Sequence, residues 1–182
     1  IFASIYFWTM KQLIECVPNF SEGNDMQIIN QITAAIESVE GVRLLNVDPG
    51  KATNRTVVTF VGEPEYVVEA AFRGIAKAAE LIDMTRHSGA HPRMGATDVC
   101  PFIPVANITL EETAEWSKKL GERVGSQLDI PVYLYEAAQK DTSRNNLSVI
   151  RSGEYEGFAT KMEDPAWKPD FGPQRFNIKS GA

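Results

Sequence analysis

The chain has 182 residues, 43% of them hydrophobic and 23% charged, which suits one globular domain with a sizeable core. Its formal charge of −6 disfavours nonspecific binding to nucleic acid or an anionic membrane, so an anionic ligand needs a local basic cleft rather than a basic face. Cys16 and Cys100 lie in apolar runs at no disulfide or zinc spacing and read as buried reduced thiols of a cytoplasmic protein.

IFASIYFWT, residues 1–9, is apolar but too short to span a bilayer, and it lacks the basic region of a secretory signal. With Met10 as the natural start, residues 1–10 read as a non-native or upstream extension. QLIECVPNF is a short strand broken by Pro18. Asn24 is the expected N-cap of the first helix, with Gln27 at the third position, and Ile28, Ile32, Ala35 and Val39 mark one face as far as Gly41. Strands over 43–48 and 55–61 flank the turn PGKATN and are close enough to form a hairpin. Pro64 suits the first position of a second helix, whose face is Val68, Phe72, Ile75, Ala79 and Ile82 and whose end falls near Met84.

TDVCPFIPV is the next extended segment, confined to an edge or a bulge by Pro101 and Pro104. Thr109 with Glu112 forms a capping box for a third helix reaching Gln127. IPVYLYE reads as a last strand, residues 142–161 as a short helix or two, and the chain after DPAWKPDFGP as loop. The order β-α-β-β-α-β predicts the α+β class: a ferredoxin-like antiparallel sheet with helices on one face, extended by a further α-β unit. A doubly wound parallel sheet fits less well, because the adjacent strands at 43–48 and 55–61 favour a hairpin.

TRHSGAHPRMGATDVCPF, residues 85–102, holds both histidines, His87 and His91. Three readings compete for it. A zinc site would use the four-residue spacing of the histidines on a helix, but Gly89 and Pro92 oppose a helix here, and a third ligand would have to come from Asp98, Cys100 or a distant carboxylate. A plain polar loop with solvated rings is the second. The third is a catalytic loop, since an imidazole takes and returns protons near neutrality, and Arg86 and Arg93 beside it would suit a substrate bearing carboxylates. Asp48 ends a strand, where it serves either as a functional group or as the cap of its own turn. Asn54 and Arg55 enter the next strand, either closing the hairpin or pointing into a shared cleft. P-loop, GxGxxG, GxSxG, paired CxxC and HExxH signatures are absent.

The segments LIECVPNFSEG, TNRTVVTFVG, LIDMTRHSGAHPRMGATDVCPFIPV, IPVYLYE, IRSGEYEG and DPAWKPDFGP together resemble, in order, the N-terminal subdomain of the glutamate formiminotransferases, folate enzymes found alone or fused to a cyclodeaminase. The resemblance implies a transferase that moves the formimino group of N-formimino-L-glutamate to tetrahydrofolate in histidine breakdown, with no metal. By the HPRMG motif it makes His91 the general acid/base, and by the strand-end motif it puts Asp48 in the active-site region. The segment after DFGP becomes the folate-contacting one, including Gly172, Pro173, Phe176 and Gly181. Asn54, Arg55 and Arg93, with Lys51 and Arg86, become candidates for receiving the carboxylates of the two substrates, including a polyglutamate tail. The resemblance further implies a homodimer of subdomains spanning 11–172, residues 173–182 as the start of a linker, and a second subdomain that completes the folate site. Formyl instead of formimino transfer, or a non-catalytic folate-binding or dimerising module, remain open on the same residues.

Overall fold

The structure is a computed structural model that describes residues 10–182; the reading of the first nine residues as an extension lies outside the described residues. The chain is α+β, with an antiparallel sheet and helices. Strands β1 (Leu13–Cys16) and β2 (Asn19–Phe20) are the two halves of the segment broken at Pro18. Both lie along β4 (Arg55–Gly62), β1 opposite Phe60–Gly62 and β2 opposite Thr56 and Val57. On the other side of β4, β3 (Val42–Gly50) completes the expected hairpin. The segment TDVCPFIPV also divides, into β5 (Thr97–Val99) on β2 and β6 (Phe102–Ala106) on β1. Pro101 sits between them, where its carbonyl still accepts from Val17 N at 3.2 Å.

Alternate β4 residues Thr56, Val58 and Phe60 are buried together with Ile14 and Cys16 of β1. They pack against α1 (Met26–Glu37), α2 (Pro64–Leu81) and α3 (Leu110–Leu128). Each fully buried Ile or Phe of this core contributes roughly 1.5–3 kcal/mol. Pro64 occupies the first turn of α2, and Thr109 with Glu112 forms the capping box of α3, as the sequence suggests. Among the described residues no helix is long and apolar enough to cross a membrane.

Three expectations are corrected. The N-cap of α1 is Asp25, whose carboxylate accepts from Gln27 N and Ile28 N; Asn24 is instead drawn to Asn54, its amide donating to Asn54 Oδ1 at 2.7 Å. The buried face of α1 is Ile29, Ile32, Thr33 and Ile36, which shares Ile32 with the expected stripe and is otherwise displaced by one residue. IPVYLYE forms no strand, so the extension contributes α3 without a strand after it. A single bridge joins Val132 to Phe171, and the next donor, Leu134 N, goes to the Asp170 carboxylate at 2.9 Å. The short helices expected over 142–161 are present as α4 (Leu147–Arg151) and α5 (Glu154–Lys161). A second, smaller core of Met94, Tyr133, Ile150, Phe158 and Met162 holds them to the loop before β5.

Candidate active site

The stretch between α2 and β5 cannot continue the helix, because Gly89, Pro92 and Gly95 interrupt it. It becomes a short helical turn at Met84–Arg86 and then an extended loop laid on the β3–β4 turn. A Cβ at Gly89 would run into Thr53 O, so glycine permits this close approach. Asn54 fastens the arrangement from a left-handed backbone (φ 48°), a conformation that asparagine tolerates. Its amide donates to Ser88 O at 2.9 Å, and its Oδ1 accepts from Gly23 N at 3.0 Å.

The two histidines meet the same kinds of partner through opposite ring nitrogens. Arg55 Nη1 lies 2.5 Å from His91 Nε2, and His91 Nδ1 lies 2.6 Å from Pro92 O. A guanidinium only donates, so Nε2 presents its lone pair to Arg55 and Nδ1–H donates to Pro92 O. Arg93 Nε donates to His87 Nδ1 at 3.2 Å, which leaves His87 Nε2–H to donate to Asn54 O at 2.9 Å. Both rings therefore present a lone pair to an arginine, His91 through Nε2 to Arg55 and His87 through Nδ1 to Arg93, and each donates from its other nitrogen to a backbone carbonyl.

Arg93 is 6% exposed. All of its donors are engaged, by His87, Glu154 and Glu156. The Glu156 hydrogen bond chiefly raises its pKa, and Arg93 in turn holds the Glu156 carboxyl below its usual range. Arg55 is half-buried, and its pKa is lowered, foremost by burial, with Asp98 opposing and Arg151 adding to the shift. Asp98 is enclosed: its carboxylate accepts from Met94 N at 3.0 Å and pairs with Arg151 of α4.

Asp48 is exposed on β3 opposite Val57, on the same sheet face as Arg55, and has no hydrogen bond to His91 among those of the described residues. Lys51 and Arg86 are exposed near the loop. The segment after DFGP divides. Gly172 (φ 83°) packs where a Cβ would strike Ile130 O, and Pro173 follows it there; Phe176 stacks on Tyr155 at a centroid distance of 5.1 Å. Gly181 bridges to Gly95, and Ala96 N donates to Ser180 O at 2.7 Å, so residues 180–182 lie against the histidine loop rather than trailing away. A mostly apolar cavity of about 260 Å³ between α3, β5 and residues 130–138 touches the loop at Met94 and Ala96, but neither His91 nor Arg55 lines it.

Arg151, Glu154 and Glu156 have no role in the sequence reading beyond lying in the motif IRSGEYEG. Folded, that motif clamps the histidine loop, Arg151 through Asp98 and the two glutamates through Arg93. Its concentration of charge was the available signal. Among the described residues no cluster of three His, Cys, Asp or Glu side chains is arranged to hold a metal. Cys16 and Cys100 are unbridged, with their sulfurs 3.5 Å apart, and burial raises the Cys16 thiol pKa.

The formiminotransferase domain, N-terminal subdomain, matches residues 13–182. The chain is 53% identical over 173 residues to a formimidoyltransferase-cyclodeaminase of Dictyostelium discoideum, covering 95% of this chain and 32% of that one. To a glutamate formimidoyltransferase of Streptococcus pyogenes serotype M1 it is 43% identical over 172 residues, covering 94% and 58%. To one of Thermoplasma acidophilum it is 47% identical over 163 residues, covering 88% and 54%. The chain thus spans about a third of the length of the first of these relatives and somewhat over half of the other two.

Proposed function

The chain belongs to the formiminotransferase family as its N-terminal subdomain, and on that premise we propose that it is the half carrying His91 in a transferase moving a formimino group from N-formimino-L-glutamate to tetrahydrofolate. The observation that carries the reading is the His91 ring itself, held at Nδ1 by Pro92 O with its Nε2 lone pair facing the Arg55 guanidinium. Attack of the folate N5 on the amidine carbon forms a tetrahedral intermediate. N5 loses a proton, and the departing glutamate nitrogen gains one. A single imidazole performs both transfers in turn. Arg55 has to yield the lone pair first, and a carboxylate of either substrate is a fitting new partner for its guanidinium.

The turn of residues 180–182 against Met94 and Gly95 supports folate contact beside that ring, with the second subdomain completing the site. The strand order, with β1 and β2 between β4 and the β5–β6 pair, supports a ferredoxin-like reading of the sheet. The half-exposed sheet face bearing Leu45, Ile103 and Val105 supports a homodimer or a subdomain contact.

The test is formimino transfer by the chain supplied with the second subdomain, with and without His91→Ala. The expected result is a fall in kcat of about 10²–10⁴-fold. An unaltered kcat removes His91 from the chemistry.

A further inference from the structure

We propose that Cys100 is an oxidation site and Cys16 its resolving thiol. A small uncharged hydroperoxide that reaches the apolar cavity oxidises Cys100, and the pair then closes to a disulfide joining β1 to the link between β5 and β6.

The two cysteines are 84 positions apart in the chain, yet the fold brings their sulfurs to 3.5 Å. Bonded sulfurs stand about 2.05 Å apart, so closure asks the pair for a movement of about 1.5 Å. The sheet keeps them as neighbours. Cys16 lies opposite Phe102 in the β1–β6 ladder, and Val17 N donates to Pro101 O at 3.2 Å, so the residues that follow the two cysteines are already joined. The hydrogen bonds that order the histidines involve neither thiol.

The two thiols differ in access. Cys16 is 0% exposed, and burial raises its pKa, so it is a poor first target for an oxidant. Cys100 is half-buried and lines the cavity of about 260 Å³ between α3, β5 and residues 130–138. The walls there are mostly apolar, including Ala114, Leu120 and Val132, so a charged oxidant such as glutathione disulfide would forfeit its hydration on entering. Hydrogen peroxide is small and uncharged. The Cys100 sulfur takes one peroxide oxygen as the O–O bond breaks, giving a sulfenic acid, and the other oxygen leaves as water with the thiol proton. The Cys16 sulfur then displaces that oxygen: the S–O bond breaks, the S–S bond forms, and a second water carries off the Cys16 proton. Two thiols thus give up two electrons to one peroxide.

The test treats the folded 182-residue chain with hydrogen peroxide and maps its peptides by mass spectrometry without reduction. The expected product is a single chain lighter by about 2 Da, with the peptides of Cys16 and Cys100 linked. A chain that stays unmodified, keeps oxygen on a sulfur without a link, or links to another chain overturns the proposal. Dimedone, which captures sulfenic acids, is expected to label Cys100 in Cys16→Ala, where no thiol resolves it. Cys100→Ala is expected to slow oxidation of the remaining thiol by about tenfold or more. Oxidation of Cys16 there at the parent's rate overturns the assigned order. Relative to its rate with the urea-unfolded chain, glutathione disulfide should be slowed by folding far more than peroxide is, and equal slowing overturns the cavity as the route. Should Cys16→Ala fail to fold, dimedone added to the parent together with peroxide carries the test: capture on Cys100 supports the proposal, and capture on Cys16 overturns it.

Discussion

Arg55 and Arg93 each donate to an imidazole lone pair of the same loop, on His91 and His87 respectively, but Arg93 is also held by two glutamates. The difference lies in what α5 brings to Arg93. Because Glu154 and Glu156 are 42% and 63% exposed, solvent screens their ion pairs, and the hydrogen bonds matter more than the Coulombic attraction. Arg93→Met is therefore expected to cost about 2 kcal/mol, read by urea unfolding, as the hydrogen bonds are lost while the glutamates recover water. Acid should show the same link. The Arg93 hydrogen bond holds the folded Glu156 carboxyl below the usual carboxylate range, so its contribution is present above the unfolded value and is lost as pH falls through the depressed folded value. Stability measured as pH is lowered from 6 to about 3 should drop less steeply in Arg93→Met than in the parent.

Among the elements, α1 illustrates how a tertiary contact can decide a cap. Both Asn24 and Asp25 are competent caps, but Asn54 draws the Asn24 amide into the junction of three loops, and Asp25 takes the helix. The buried stripe, Ile29, Ile32 and Ile36, is set by the side chains that meet the core and not by where the helix starts. Asp25→Ala is expected to cost about 1 kcal/mol in thermal or urea unfolding, and a loss of only a few tenths would remove the cap from the account. IPVYLYE has the composition of a strand, but after α3 its backbone is met by residues 170–171 and the Asp170 carboxylate, not by a sheet edge. In this α-β extension, the available partners outweighed local propensity.

At the scale of the molecule, the sheet and three long helices build the main core, while the second core ties α4, α5 and Tyr133 to the histidine loop through Met94. Phe158 is central to that second core, 1% exposed and edge-on to Tyr133 at 5.4 Å. Truncating it leaves a cavity that the short helices are poorly able to fill. Phe158→Ala is expected to destabilise by about 3–5 kcal/mol in urea unfolding, with faster amide exchange at residues 93–96 than in β4. Equal exchange in the two regions would show that the second core does not support the loop.

Periodicity and cap chemistry sufficed for the hairpin of β3 and β4, the proline-started α2 and the capping box of α3, because each is decided by residues within a few positions of one another. The motif HPRMG singled out His91 only through the resemblance it carries. The break of the first strand at Pro18 was legible, but its consequence, two short strands sharing one side of β4, depended on a partner chosen by tertiary packing. The same holds for the site. Asp98, Arg151, Glu154 and Glu156 carry no local pattern that assigns them to the histidines. Their carboxylates and guanidiniums acquire meaning only when residues more than fifty positions apart are brought within hydrogen-bonding distance in a partly dry loop, where charges must find one another.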